Sequence, residues 1–124
     1  MIKAHAKSLT TAERLDLALS VLSDKKADNI VVLDLRELNY VLCDYFIVAT
    51  AESDRQAQAI VDTLTDKLKE AEGKRMGYRV EGYEVGQWIL LDLGDVVVHI
   101  LSPEARAYYR IEELWGDAKM ISYA

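Results

Sequence analysis

The sequence predicts an α+β fold: one mixed β-sheet of about five strands flanked by helices, in the order α-β-β-α-β-β-β-α. Three observations predict it. Segments with a helical apolar period, bounded by capping residues, alternate with short β-branched runs. Two of those runs meet at a Gly-Asp pair, a hairpin signal. A long helical segment separates the second run from the third, which suits a β-α-β crossover between residues 45 and 81.

The first helix opens on "TTAE", a capping box with Thr10 as N-cap and Glu13 three residues on. Leu15, Ala18, Leu19 and Leu22 follow at helical spacing, and Lys25 and Lys26 suit its C-terminal end. "NIVVLDL" is a β-branched run and reads as a strand; "YFIVAT", residues 45–50, is the next; "RELNYVLCD" between them reads as a loop. A second helix starts near Ser53 and Asp54, both good caps. It lines up Ala57, Ile60, Val61, Leu64 and Leu68 and ends before Gly73. "YRVEG" is a short third strand. The last helix has Ser102 to cap it, Pro103 in its first turn and Gly116 to close it. No internal repeat, linker or low-complexity segment interrupts this order, so residues 1–124 read as a single domain.

With 124 residues, 51% of them hydrophobic, the chain can fill a real core. It has no run of eighteen apolar residues, so no membrane partner is expected. The first fifteen residues lack the apolar stretch of a secretory signal. One cysteine, Cys43, leaves no internal disulfide and fits a reducing compartment. Together these point to the cytoplasm. Fifteen basic residues against twenty-one acidic give a net charge of −6. Binding to nucleic acid through phosphates calls for a basic patch, and "DKK" and "GKR" are too short to make one. The acidic balance suits a basic protein partner.

The stretch "WILLDLGDVVVHIL", residues 88–101, carries the sharpest signal. If Gly94 and Asp95 form a two-residue loop, Leu93 pairs with Val96, Asp92 with Val97, Leu91 with Val98 and Leu90 with His99. Side chains alternate between faces. Ile89, Leu91, Leu93, Val96, Val98 and Ile100 then share one wholly aliphatic face. The other holds Trp88, Leu90, Asp92, Val97, His99 and Leu101, with Asp92 diagonally across from His99. Three readings compete. The last helix covers this second face and Asp92 hydrogen-bonds His99 beneath it. Or the face, with its Trp, Asp and His, is the centre of a docking surface. Or His99 and Asp92 form a catalytic dyad, which lacks any recognisable serine or cysteine nucleophile.

Other candidates carry less. Cys43 belongs to no motif and reads as a semi-buried structural thiol. His5, His99 and Cys43 do not make a zinc site, and no metal or cofactor is expected. Tyr108, Ile111 and Trp115 share one helical face and read as core packing. No glycine-rich phosphate loop is present.

"CDYFIVAT", "SDRQAQAI", "GQWILLDLGDVVVHIL" and "ARAYYRIEELW" together resemble the Iojap family, the ribosomal silencing factors of bacteria and organelles. The likeness runs from about Ala27 to Trp115. It rests on Asp44-Tyr45-Phe46, Trp88, Asp92, Gly94-Asp95, His99, Arg106, Tyr109, Glu112 and Trp115. One departure is Ala51 in "ATAES", where many members carry Gly in the loop after the second strand; it bears on the shape of that turn. The resemblance implies a nucleotidyltransferase-like fold and a protein that binds the large ribosomal subunit through its fourteenth protein. Occupying that place blocks joining with the small subunit and lowers translation when nutrients are scarce. The action is steric, so the chain is expected not to be an enzyme and to have no catalytic residues. On this reading the partner-binding residues are Trp88, Leu90, Asp92, Asp95, His99 and Leu101. A face or edge awaiting a partner also allows a homodimer in the free state.

The alternative is a degenerate or active nucleotidyltransferase. Nucleotidyl transfer needs acidic residues converging on metal ions, in the usual arrangement two carboxylates at i and i+2 on a strand. The i, i+2 acidic pairs here are Glu52/Asp54, at a helix start, and Glu70/Glu72, which diverge on a helix.

Overall fold

The computed structural model describes residues 8–73 and 78–123. In chain order the elements are α1 (Thr11–Asp24), β1 (Asp28–Asp34), β2 (Tyr45–Thr50), α2 (Asp54–Glu72), β3 (Arg79–Glu81), β4 (Trp88–Asp92), β5 (Val96–Leu101), α3 (Pro103–Tyr109), α4 (Ile111–Leu114) and β6 (Lys119–Ser122). The strands form one mixed sheet in the order β3-β4-β5-β2-β1-β6. The β2–β5 pair is parallel and the others are antiparallel.

Strand position follows composition. β5 is buried at all six residues and β2 at its last four, as expected of β-branched runs covered on both sides. They take the centre. β3 and β6 are exposed throughout and take the edges. This corrects the predicted crossover. β3 runs in the same direction as β2, but β5 and β4 lie between them, so the parallel partner of β2 is β5. Three exposed residues cannot fill a central place, whereas "VVVHIL" can.

The helix signals map closely. Thr10 accepts from the Glu13 amide while Glu13 accepts from the Thr10 amide, the reciprocal bonds of a capping box. Ser53 caps α2 and Gly73, at φ +89°, ends it. Ser102 caps α3 with Pro103 in its first turn. The Ala51 amide, in the turn before α2, donates to the Leu101 carbonyl at 2.9 Å.

The C-terminal region departs from expectation in two ways. The last helix does not run to Gly116: it stops at Tyr109, and Arg110 takes a left-handed conformation (φ 51°, ψ 54°) before α4 begins. The stripe predicted as core is split by that elbow. Ile111 is buried and Trp115 half-buried, but Tyr108 is 79% exposed. Arg106 clasps the two pieces, donating to Glu112 Oε2 at 2.6 Å and to Thr50 Oγ1 at 2.9 Å. A sixth strand then follows, β6, which pairs with β1.

The sheet divides the core in two. On one face α1 and α2 cover Ile30, Val32, Ile47, Ala49, Ile89, Leu91, Val96, Val98 and Ile100. On the other, Val31, Leu33, Val48 and Leu101 pack with Leu35, Ala105 and Ile111, beside Phe46, Trp88 and Trp115. Among the described residues no helix is long and apolar enough to cross a membrane.

Candidate partner-binding face

The β4–β5 hairpin has the register expected of a two-residue Gly94-Asp95 loop. Leu90 faces His99, Leu91 faces Val98 and Asp92 faces Val97. The Leu93 amide donates to the Val96 carbonyl at 2.9 Å, and Gly94 supplies the turn's φ of +95°. The six aliphatic residues of one face all lie in the core beneath α1 and α2.

The second face is only partly covered. Its β5 residues Val97, His99 and Leu101 are buried, whereas its β4 residues Trp88, Leu90 and Asp92 are half-buried. Trp88, Leu90, Glu81 and Gly82 line a shallow depression at the open end. Gly82 has φ +80° at a point where a Cβ would come within 2.2 Å of the Trp88 carbonyl oxygen, so only glycine fits there.

Aromatic rings run across this face in an unbroken chain. Tyr40 stacks near Trp115, with ring centres 6.3 Å apart; Trp115 meets Phe46 edge-on at 5.3 Å; Phe46 meets His99 at 4.7 Å. His99 lies 6.0 Å from Trp88, Trp88 4.6 Å from Tyr109, and Tyr109 4.9 Å from Tyr108. Both ends are exposed: Tyr40 at one, Tyr108 and Tyr109 at the other, with Leu42 fully exposed on the 36–44 loop. Aromatic rings that are rigid and partly open to solvent have the composition of an interface centre.

His99 and Asp92 do not meet as the sequence allowed. Asp92 Oδ1 accepts from the Gly94 amide at 2.8 Å and so braces the turn. The partner of His99 is Trp88, whose indole Nε1 donates to Nδ1 at 3.2 Å. An indole N–H can only donate, so Nδ1 carries the lone pair and the ring proton sits on Nε2. Nε2 is buried and meets no protein hydrogen-bond partner among the described residues. Burial pushes the His99 pKa down to about 4, so the ring is neutral at physiological pH.

Asp95 lies on the other side of the sheet. Its Oδ2 accepts from Thr11 Oγ1 at 2.5 Å and from Arg14 Nη1 at 2.6 Å, which ties the hairpin turn to α1. Arg14 also donates to Glu72 Oε2 at 2.7 Å, and the Leu9 amide donates to the same oxygen at 2.6 Å. The Tyr78 hydroxyl donates to Glu72 Oε1. The side chains of Arg14 and Glu72 are 9% and 0% exposed. Burial disfavours the Glu72 carboxylate, but the bonds from Arg14, Tyr78 and Leu9 outweigh it and hold its pKa below the usual range. Asp95 and Glu72 are therefore fold contacts. Cys43 is half-buried beside the second core, and burial pushes its thiol pKa up. Among the described residues no group of three or more His, Cys, Asp or Glu could hold a metal; His5 lies outside them.

Phe46, Tyr109 and Tyr40 were missed as members of this face. The face of Phe46 follows from its strand parity only once β2 is known to lie beside β5, where Val48 pairs with His99.

A family model described as "Ribosomal silencing factor during starvation" matches residues 8–124. The chain belongs to that family. It is 40% identical over 113 residues to the ribosomal silencing factor of Halalkalibacterium halodurans, spanning 91% of this chain and 94% of that one. A mouse protein named "Mitochondrial assembly of ribosomal large subunit protein 1" is 31% identical over 103 residues, 82% of this chain and 44% of its own length. A crystal structure of a Chromobacterium violaceum protein superposes with a TM-score of 0.78 at 42% identity, covering 87% of this chain and 88% of that one. The α+β architecture with one mixed sheet is thus shared with that solved structure.

Proposed function

We propose that this chain binds the large ribosomal subunit through a basic ribosomal protein and, by occupying that place, blocks joining with the small subunit. Membership of the silencing-factor family over residues 8–124 supports the ribosomal role. The large subunit appears in the name of the mouse relative, and the family resemblance points to that subunit's fourteenth protein. The observation that carries the docking site is the half-open β4 face. In the ring chain Trp88 lies between buried His99 and exposed Tyr109, with Asp92 and Glu81 nearby on the same face of β4 and β3, Glu81 paired with exposed Arg79. Apolar rings supply the anchor. The carboxylates suit a basic partner and speed its approach.

Blocking of this kind is steric and needs no chemical step. Lower translation follows directly, because subunits that cannot join cannot initiate, and the family description, which names starvation, supports nutrient limitation as the occasion. The test is sedimentation of the protein with purified large subunits, with small subunits as control, followed by a subunit-joining assay. Co-sedimentation with large subunits alone, and fewer joined ribosomes, are expected. Equal binding to both subunits, binding to free RNA, or metal-dependent binding of nucleotides would overturn the reading.

A further inference from the structure

We infer that His99 is a positioning residue for docking: from the buried centre of the sheet, it fixes the orientation of the Trp88 indole on the open face. The inference rests on the proposed docking role of Trp88. Trp88 sits on β4, half-buried, at the edge of the covered region. Packing against Tyr109, with ring centres 4.6 Å apart, is non-directional and leaves a half-buried indole some rotational freedom about its side chain. His99 has no such freedom. It lies on β5, 5% exposed, with β4 and β2 on either side and the edge of Phe46 against its ring. Trp88 pairs directly with Leu101 and Leu90 with His99, so Trp88 and His99 are diagonal neighbours on one face, a distance that long side chains can bridge. The bridge is the hydrogen bond from Trp88 Nε1 to His99 Nδ1 at 3.2 Å. Through it the exposed ring takes its orientation from the core.

The buried Nε2–H indicates what this histidine does not do. Among the described residues that proton meets no protein acceptor, so the protein hydrogen bond this side chain does make is the one its Nδ1 accepts from Trp88. An aliphatic residue at this position would leave no donor unpaired and would suit the surrounding Phe46, Val48 and Leu101 at least as well. What an aliphatic residue lacks is the acceptor that Trp88 uses. Pre-setting an anchor residue in its bound orientation strengthens binding by reducing what must be ordered on contact.

The test compares three variants, and their double combinations, for thermal stability, for exchange of the Trp88 indole N–H with solvent, and for affinity to large subunits. His99→Leu removes the acceptor, His99→Asn keeps an oxygen where Nδ1 stands, and Trp88→Phe keeps a ring but removes the donor. His99→Leu is expected to melt no lower than the parent protein, to exchange the Trp88 indole proton faster while that of Trp115 is unchanged, and to bind about fivefold more weakly, the scale of one ordinary neutral hydrogen bond. His99→Asn should restore slow exchange and most of the affinity. Trp88→Phe should show a similar loss of affinity, and adding His99→Leu to it should cost nothing more. Because Trp88 is half-buried, Trp88→Phe keeps the cycle readable even if a change at His99 impairs folding. Unchanged indole exchange in His99→Leu, or full additivity in the double variant, would overturn the inference while leaving the docking face in place. Full affinity in Trp88→Ala would overturn the docking face itself, and the positioning role with it.

Discussion

On one side of the sheet α1 and α2 bury Ile89 and Leu91 completely; on the other, the same strand leaves Trp88, Leu90 and Asp92 half-buried. Both faces are apolar enough to need a cover. The difference lies in what covers them. α1 and α2 are 14 and 19 residues long and present continuous apolar stripes. α3 and α4 have seven residues and four, separated by the left-handed Arg110, and reach Leu101 and Val48 without closing over β4. The polar groups divide accordingly. Charges on the closed side are neutralised internally, as Arg14 is by Glu72 and Asp95. On the open side the pairs lie nearer solvent, Arg79 with Glu81 at 3.2 Å and Arg106 with Glu112 at 2.6 Å, and the Tyr108 and Tyr109 rings are exposed. One face is closed by the chain itself and the other is left half-open.

The largest effect should come from breaking the closed side. Glu72→Ala leaves Arg14 buried without its main counter-charge, and losing one member of a buried pair costs about 3–5 kcal/mol. Chemical denaturation should report that loss, with large-subunit affinity per folded molecule unchanged. If the affinity fell as much as the stability, the two faces would not be separable.

The second effect uses pH. The folded His99 pKa, about 4, lies below its unfolded value of 6.5. Between those values the unfolded chain binds a proton that the folded chain refuses. Its contribution to stability is therefore complete above pH 6.5 and is lost as pH falls toward 4, a loss of about 3 kcal/mol at most. Glu72 and Glu112 act lower. Their folded pKa values are depressed, so the stability they confer is present above the ordinary carboxylate range and lost as pH falls through their folded values. Denaturation at pH 7, 5.5 and 4.5 should show a slope that is smaller in His99→Leu, with the part between pH 7 and 5.5 most reduced; an equal slope in that variant would refute the assignment.

On the open side, Trp88→Ala should weaken large-subunit binding by about 2 kcal/mol or more, as truncated aromatic anchors do, with little change in melting temperature. The same change should suppress self-association of the free protein, detectable by sedimentation equilibrium, if a second copy competes for this face. Asp92→Ala is the smallest expected effect: slower association and a weaker dependence on salt, measurable in stopped-flow mixing at two ionic strengths. Because Asp92 also braces the Gly94 turn, its melting temperature needs measuring alongside.

Much of the closed side was legible in the sequence. The capping box at Thr10, the Ser53 cap, the α2 stripe and the Gly94-Asp95 register all depend on residues close together in the chain. The open side depends on pairings distant in sequence. Nothing local reveals that Phe46 would lie beside His99, or that Asp95 would turn toward Arg14 while Asp92 stays on the half-open face. The split at Arg110 was hidden for another reason: a left-handed arginine carries no propensity signal, and Arg106 and Glu112 stabilise it only after the two helical pieces have folded back. β6 went unread because its four residues are all exposed and show no burial pattern of their own.

The parallel pairing at the centre of the sheet has a consequence for how the molecule comes into being. Tyr45 pairs with Val96 and Thr50 with Leu101, so β2 has β1 on one edge and nothing on the other until β5 has been synthesised. Contacts so distant along the chain form late. The open face needs β4, β5 and α3 together, and hence residues through Tyr109 outside the exit tunnel. A growing chain therefore cannot assemble this face until α3 has emerged, which makes the face a product of the completed sheet and not of any one segment.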